Sequence, residues 1–244
     1  MNMDVTPAKK GTGLQGVIES LTPGVIEEIR KTSPAAADQF GPLLAKLNIF
    51  LDRNLPFWPE EHEDQEVPDL VREVLTPREL DAFLQASLLY ENKPNFYSNT
   101  GIFISKLITN SYHTKYKSFI LHANSLLRPL EDIGIYVKGL RKSPPSIVIH
   151  GNVGDYFGFL SENVRYTLHG DVEGDNCARS ADNCTFTFYG GIKGDDFSLG
   201  AENSIFKATP EETVELLVEQ VPSGNKIIQL LPNKRQRIVR DYHQ

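Results

Sequence analysis

The chain has 244 residues, 40% of them apolar, which suffices for one large domain or two small ones around a buried core. A formal charge of -7 and an isoelectric point near 5.4 argue against a main role in clamping nucleic acid or an anionic membrane surface, because either favours an excess of Lys and Arg. No signal-peptide core follows Lys9 and Lys10, and no run of about eighteen apolar residues occurs, so a cytoplasmic protein without a membrane span is expected.

In chain order, residues 1–13 read as a disordered tail and residues 14–117 as a helical region. Leu43, Leu44, Leu47, Phe50 and Leu51 trace one face of a helix expected to start after Pro42. Asn54 to Val67 carries Pro56, Trp58, Pro59 and the acidic run from Glu60 to Glu66, and reads as an exposed loop with Trp58 as a candidate contact. Thr76-Pro77-Arg78-Glu79 has the residues of a capping box, with Leu80, Phe83, Leu84 and Leu88 on one apolar face beyond it. Ile102, Phe103, Leu107 and Ile108 suggest a third helix. Tyr97, Tyr112, His113, Tyr116 and His122 cluster in this stretch and are candidates for a ligand site where the helical region meets the strands.

Residues 118–208 read as strands leading into a repeat. Phe119 to Ala123 fits strand or helix, while Ile133 to Lys138 and Ile147 to His150 read as strands. From residue 147 to 208 the chain repeats about every twenty residues: Gly154-Asp155, Gly174-Asp175 and Gly194-Asp195 align, as do Asn163, Asn183 and Asn203. After each Asn comes an alternating stretch, in turn Val164, Tyr166 and Leu168, then Cys184, Phe186 and Phe188, then Ser204, Phe206 and Ala208, the period of a strand with one buried face. Glycine ends each stretch at Gly151, Gly170 and Gly190. Three such units are expected to stack as the coils of a β-solenoid, about 4.8 Å apart, too few to stand without lids at both ends.

One lid is expected in residues 209–244. Thr209-Pro210-Glu211-Glu212 carries a second capping signature, a helix to Gln220 comes next, and Lys226 to Leu231 and Gln236 to Tyr242 read as a hairpin. The expected fold class is therefore α+β: an N-terminal helical region packed on a short, three-coil solenoid with an α-β-β cap.

Candidate chemistry is sparse. Asp155, Asp175 and Asp195 would stack into a carboxylate ladder, a beginning for a hard cation, although Gly-Asp is also an ordinary turn pair. His150 and His169 occupy equivalent outward positions on neighbouring coils, close enough to share a metal or simply to stack in solvent, with Tyr189 in the third place. The three asparagines read as a side-chain ladder, and Cys177 and Cys184 as small buried fillers. Lys234, Arg235, Arg237 and Arg240 form a basic strip on the last hairpin that reads as a solvated face, or as a polyanion contact. Nucleophile elbow, phosphate loop, metalloprotease helix and dinucleotide fingerprint are missing from the sequence, so no cofactor is expected and an enzyme has no positive support.

Gly151-Asn152-Val153-Gly154-Asp155-Tyr156-Phe157-Gly158 resembles one coil of the glycine-rich right-handed β-helix in the C-terminal domain of the glutamate synthase large subunit, a domain also found in formylmethanofuran dehydrogenase. The resemblance spans residues 147–208, with Ala178 and Ser198 in place of the last glycine in the second and third units. It implies a scaffold between other parts and carries no catalytic residue over. The expected function is thus a non-catalytic scaffold or interaction module whose partner is another protein or a second copy. The alternative is a ligand- or cation-binding protein, or an enzyme of unfamiliar type, with its site at the junction of helices and coils.

Overall fold

The computed structural model describes residues 34–52 and 70–241. The tail at residues 1–13, the start of the helical region at Leu14, Trp58 with its acidic run, and Tyr242 lie outside the described residues.

Three helices come first: α1 (Pro34–Leu51), α2 (Pro77–Ser87) and α3 (Phe96–Thr114). Helix α1 begins before Pro42 and runs through it, contrary to the expected start after that proline. Burial of Phe40 on one side of Pro42 and of Leu43, Leu44 and Leu47 on the other outweighs the lost backbone bond. Helix α2 starts as its sequence dictates: Thr76 accepts the Glu79 N–H and Glu79 accepts the Thr76 N–H, closing a capping box. Rings join the three helices, with Phe40–Phe83 and Phe83–Phe103 centroids 5.7 Å apart and Phe50–Phe103 at 5.9 Å.

The strands then form one seven-stranded sheet in sequence order: β1 (Ser118–His122), β2 (Ser146–His150), β3 (Arg165–His169), β4 (Thr185–Phe188), β5 (Ile205–Ala208), β6 (Lys226–Leu230) and β7 (Gln236–Arg240). Neighbours pair in parallel except β6 and β7, which are antiparallel. Helix α4 (Glu211–Gln220) lies between β5 and β6 in the chain. The architecture is therefore mixed α and β around a mostly parallel sheet. Helix α4 lacks the capping box its sequence suggested: the N-cap is Pro210, which has no side-chain donor or acceptor to offer.

Equal length of the inner units places equivalent residues side by side in these parallel pairs, Tyr166 with Phe186 and Phe186 with Phe206. These rings stack on the buried face at 4.9 and 5.4 Å, with Phe157 and Phe197 set edge-on against them. Offset stacks and edge contacts are the favoured aromatic geometries, so one column supplies much of the core. Two further rows of single parallel bridges accompany the sheet, Leu130–Val153–Val172–Ile192 and Lys138–Glu162–Asp182–Glu202. Each repeat thus pairs with its neighbours at three separate places.

The glycine after each strand answers a close approach. A Cβ on Gly170 would stand 2.1 Å from the Gly151 carbonyl oxygen, and one on Gly190 2.2 Å from that of Gly170. Ile133 to Lys138 is not a strand. Asp132, Gly134 and Tyr136 alternate in left-handed backbone with the residues between them, as Tyr156, Gly158 and Leu160 do one repeat later. Residues 118–139 therefore supply a unit ahead of the three legible in sequence: β1, a bridge at Leu130, the left-handed alternation and a bridge at Lys138.

Candidate functional site

The aspartate column is built, and one oxygen of each of its first two carboxylates is already in use. Asp155 Oδ1 accepts the Asp175 N–H at 2.8 Å, and Asp175 Oδ1 accepts the Asp195 N–H at 2.7 Å. A second column does the same work beside it, Asn152 accepting from Asp171 at 3.0 Å and Asp171 from Gly191 at 2.9 Å. Asp171 also pairs with Lys193 at 2.8 Å, and the bonds from Lys193 and the Gly191 N–H hold its carboxyl below the ordinary value. These carboxylates satisfy backbone donors at corners where the strand ladder ends.

The asparagines also answer backbone geometry. Asn163, Asn183 and Asn203 have φ of 55°, 50° and 51°, left-handed backbone that asparagine tolerates better than most residues. The side-chain ladder forms in part: Asn183 donates to Asn163, and Asn163 donates to the Gly139 carbonyl, but Asn203 turns to Asp182. The thiols are buried and bonded to backbone carbonyls, Cys177 to Gly154 and Cys184 to Asp182. Burial pushes the Cys177 thiol far up and that of Cys184 to about 11, which suppresses the reactive thiolate.

His150 and His169 stack with ring centroids 4.7 Å apart and planes within 9°. His122 continues the row at 5.1 Å on one side, and Tyr189 continues it at 4.5 Å on the other. Asp81 on α2 accepts from the His122 backbone N–H at 2.8 Å and pairs with its Nδ1 at 2.9 Å. Parallel rings carry parallel lone pairs, so neighbouring nitrogens do not converge on one point. Among the described residues no group of three or more His, Cys, Asp or Glu side chains is arranged to hold a metal ion.

The other junction candidates do not converge on one site, although Tyr112 and His113 touch edge to face. Tyr97 and Tyr112 stand fifteen positions apart on α3, roughly 22 Å along a helix. Tyr97 donates to Glu91 at 3.1 Å beneath the Arg128 guanidinium. Tyr112 is buried, donates to the Ser143 carbonyl at 2.8 Å and accepts the Leu140 N–H at 2.7 Å. Lys117 lies over the Tyr112 ring and Lys115 over Tyr116, while His113 is exposed against Tyr112. In the basic strip Lys234, Arg235 and Arg237 are exposed, but Arg240 folds back to donate to the Val221 and Pro222 carbonyls.

Sequence reasoning missed an acidic junction. Glu131 occupies the place of Asp155 in the added unit, and Asp132 the left-handed place of Tyr156, so the acidic column runs Glu131, Asp155, Asp175, Asp195. Ser98 on α3 donates to Asp132. Burial, then nearby Glu131 and Asp155, push the Asp132 carboxyl to about 7 against the bond from Ser98. Burial and Asp155 likewise raise Glu131. A carboxyl titrating near neutrality beside two others is a group that can exchange a proton or respond to a cation. The available signal was an acid followed two residues later by an apolar residue and then glycine, shared by Glu131-Asp132-Ile133-Gly134 and Asp155-Tyr156-Phe157-Gly158.

No helix among the described residues is long and apolar enough to cross a membrane. No protein-family model, no curated protein and no solved structure matches the chain.

Proposed function

We propose that the chain is a non-catalytic interaction module built on a short β-solenoid, with the outer face of its sheet as the docking surface. The observation that carries this reading is the row Ile120, Val148, Thr167, Thr187 and Lys207, in register across five strands and facing away from the core. Ile120 is 46% exposed, and the two threonines are half-buried. Short and β-branched side chains on paired strands lose little rotamer freedom on docking, which suits a rigid protein-binding face. Asn152, Asp155, Asp171 and Asp175 accept backbone bonds and the thiols are masked, which sets this face among the surfaces without a structural task. The partner is another protein or a second copy of the chain.

The test places arginine at Thr167 and Thr187 and compares the assembly state of the full chain, and its recovery of partners from its native host, with the unmodified protein. Loss of an assembly with unchanged circular dichroism and melting supports the reading. An assembly indifferent to both substitutions removes the outer face as the docking surface.

Asp132 favours a second reading, a ligand or cation held at the junction of α3 with the acidic column. Calorimetric titration with calcium, magnesium and small cationic ligands tests it, with Asp132→Asn as control. Equal heats for both proteins would discard it.

A further inference from the structure

The ring row crosses a boundary. His122 ends β1, whose outer edge is held by α2: Asp81 accepts the His122 N–H, and Gln85 Nε2 donates to the His122 carbonyl at 2.6 Å. His150 and His169 belong to the next two strands, and Tyr189 closes the row just beyond β4. The contact between the first and second rings is therefore also a contact between the strand that carries the helices and the strands of the repeat.

Neutral imidazoles tolerate this parallel stacking, but cationic ones at this separation repel. His150 sits between two imidazoles, so a proton there meets a potential cation on either side. The charged or titratable groups facing it are His122 from β1 and His169 from β3, with Asp81 of α2 behind His122. Tyr189 lies behind His169.

We propose that this row is a proton-operated seam: while His150 is neutral the stacked rings hold β1 and its helical cover against the repeat, and a proton on His150 loosens the β1–β2 pairing. Partial burial, then the charges possible on His169 and His122, hold the imidazole below its ordinary value, and Asp81 opposes them. The unfolded or locally opened strand therefore takes the proton first, so pairing across the seam weakens as pH falls below about 6.5. The seam stands independently of any partner on the outer face.

Hydrogen exchange of the full chain tests it, at about pH 7.5 and about pH 5, either side of the ordinary imidazole value, with intrinsic rates divided out. Protection of Ser118–His122 and Ser146–His150 is expected to fall roughly tenfold or more at the lower pH, while Ile205–Ala208 keeps its protection. His150→Phe keeps a ring in the row without a titrating nitrogen and is expected to abolish the fall. An equal fall in that variant, or none in the unmodified protein, overturns the proposal. Titration of the His150 ring protons by nuclear magnetic resonance needs no variant, and a midpoint at or above the ordinary imidazole value overturns it as well.

Discussion

Asn225 accepts the backbone N–H of Ser204 through Oδ1 at 2.8 Å, and so ends a row that climbs through the repeats. Val164 N–H reaches Cys184 Sγ at 3.5 Å, Cys184 N–H reaches Ser204 Oγ at 3.1 Å, and Ser204 N–H reaches Asn225. At each step a side chain from the next level supplies the acceptor.

Replacing Asn225 removes that acceptor and also the bonds its Nδ2 donates to the Ala201 and Pro222 carbonyls at 2.8 and 3.1 Å. The site is fully buried, so water cannot substitute. Asn225→Ala is expected to destabilise by about 3 kcal/mol, read as a lower midpoint in urea with an unchanged slope.

Ser198 carries two costs at one position. Its backbone is left-handed at φ 59°, and its buried hydroxyl has no hydrogen-bond partner. Gly158 fills the equivalent place in the first unit of the repeat, where a Cβ would stand 2.7 Å from the Phe186 ring. Ser198→Gly is therefore expected to stabilise by about 1 kcal/mol, measured by the same denaturation.

Asp132 sets a pH dependence. Its carboxyl has an ordinary value of 3.8 when unfolded and about 7 when folded. Between the two the folded chain holds a proton that the unfolded chain has released, so stability falls as pH rises through this window. Asn keeps an acceptor for Ser98 and tolerates φ of 54° without the charge. Asp132→Asn is expected to raise the melting temperature at about pH 8 by at least the roughly 2–4 °C that 1 kcal/mol gives a chain of this size, and to change it far less near pH 4.

The two thiols are expected to be silent in the native protein. Both are buried, and burial raises both. A disulfide reagent at neutral pH is expected to titrate neither before denaturation and both afterwards.

The parts of this fold that the sequence exposed share a physical cause. Units that turn the same corners have the same length, and equal length is visible as a period, hence the alignment of Tyr166, Phe186 and Phe206 and of their glycines. The added unit escaped because residues 139–145 lengthen the path to β2, so Glu131 lies 24 residues ahead of Asp155 rather than 20, and residues 124–129 push β1 further ahead still. Ile133 to Lys138 looked like a strand because its apolar residues alternate, but alternation of left- and right-handed backbone also turns successive side chains to opposite sides. The row from His122 to Tyr189 was half legible: His150 and His169 share a register, whereas His122 became their neighbour only once β1 was placed. The junction of Ser98 with Asp132 joins residues 34 positions apart through a helix packing that no local pattern encodes.

The reversal at β7 has a meaning for assembly. Parallel strands in register form a stack with a direction, and another identical layer could be laid on either end. At the first end the His122 amide and carbonyl are taken by Asp81 and Gln85. At the last, β7 runs against the grain and presents Arg237 among exposed residues, so an incoming parallel layer would find the wrong polarity and a cation in its path. Each end of the described sheet thus carries an obstacle to the addition of a further identical layer, which works against growth of the pattern into a fibre.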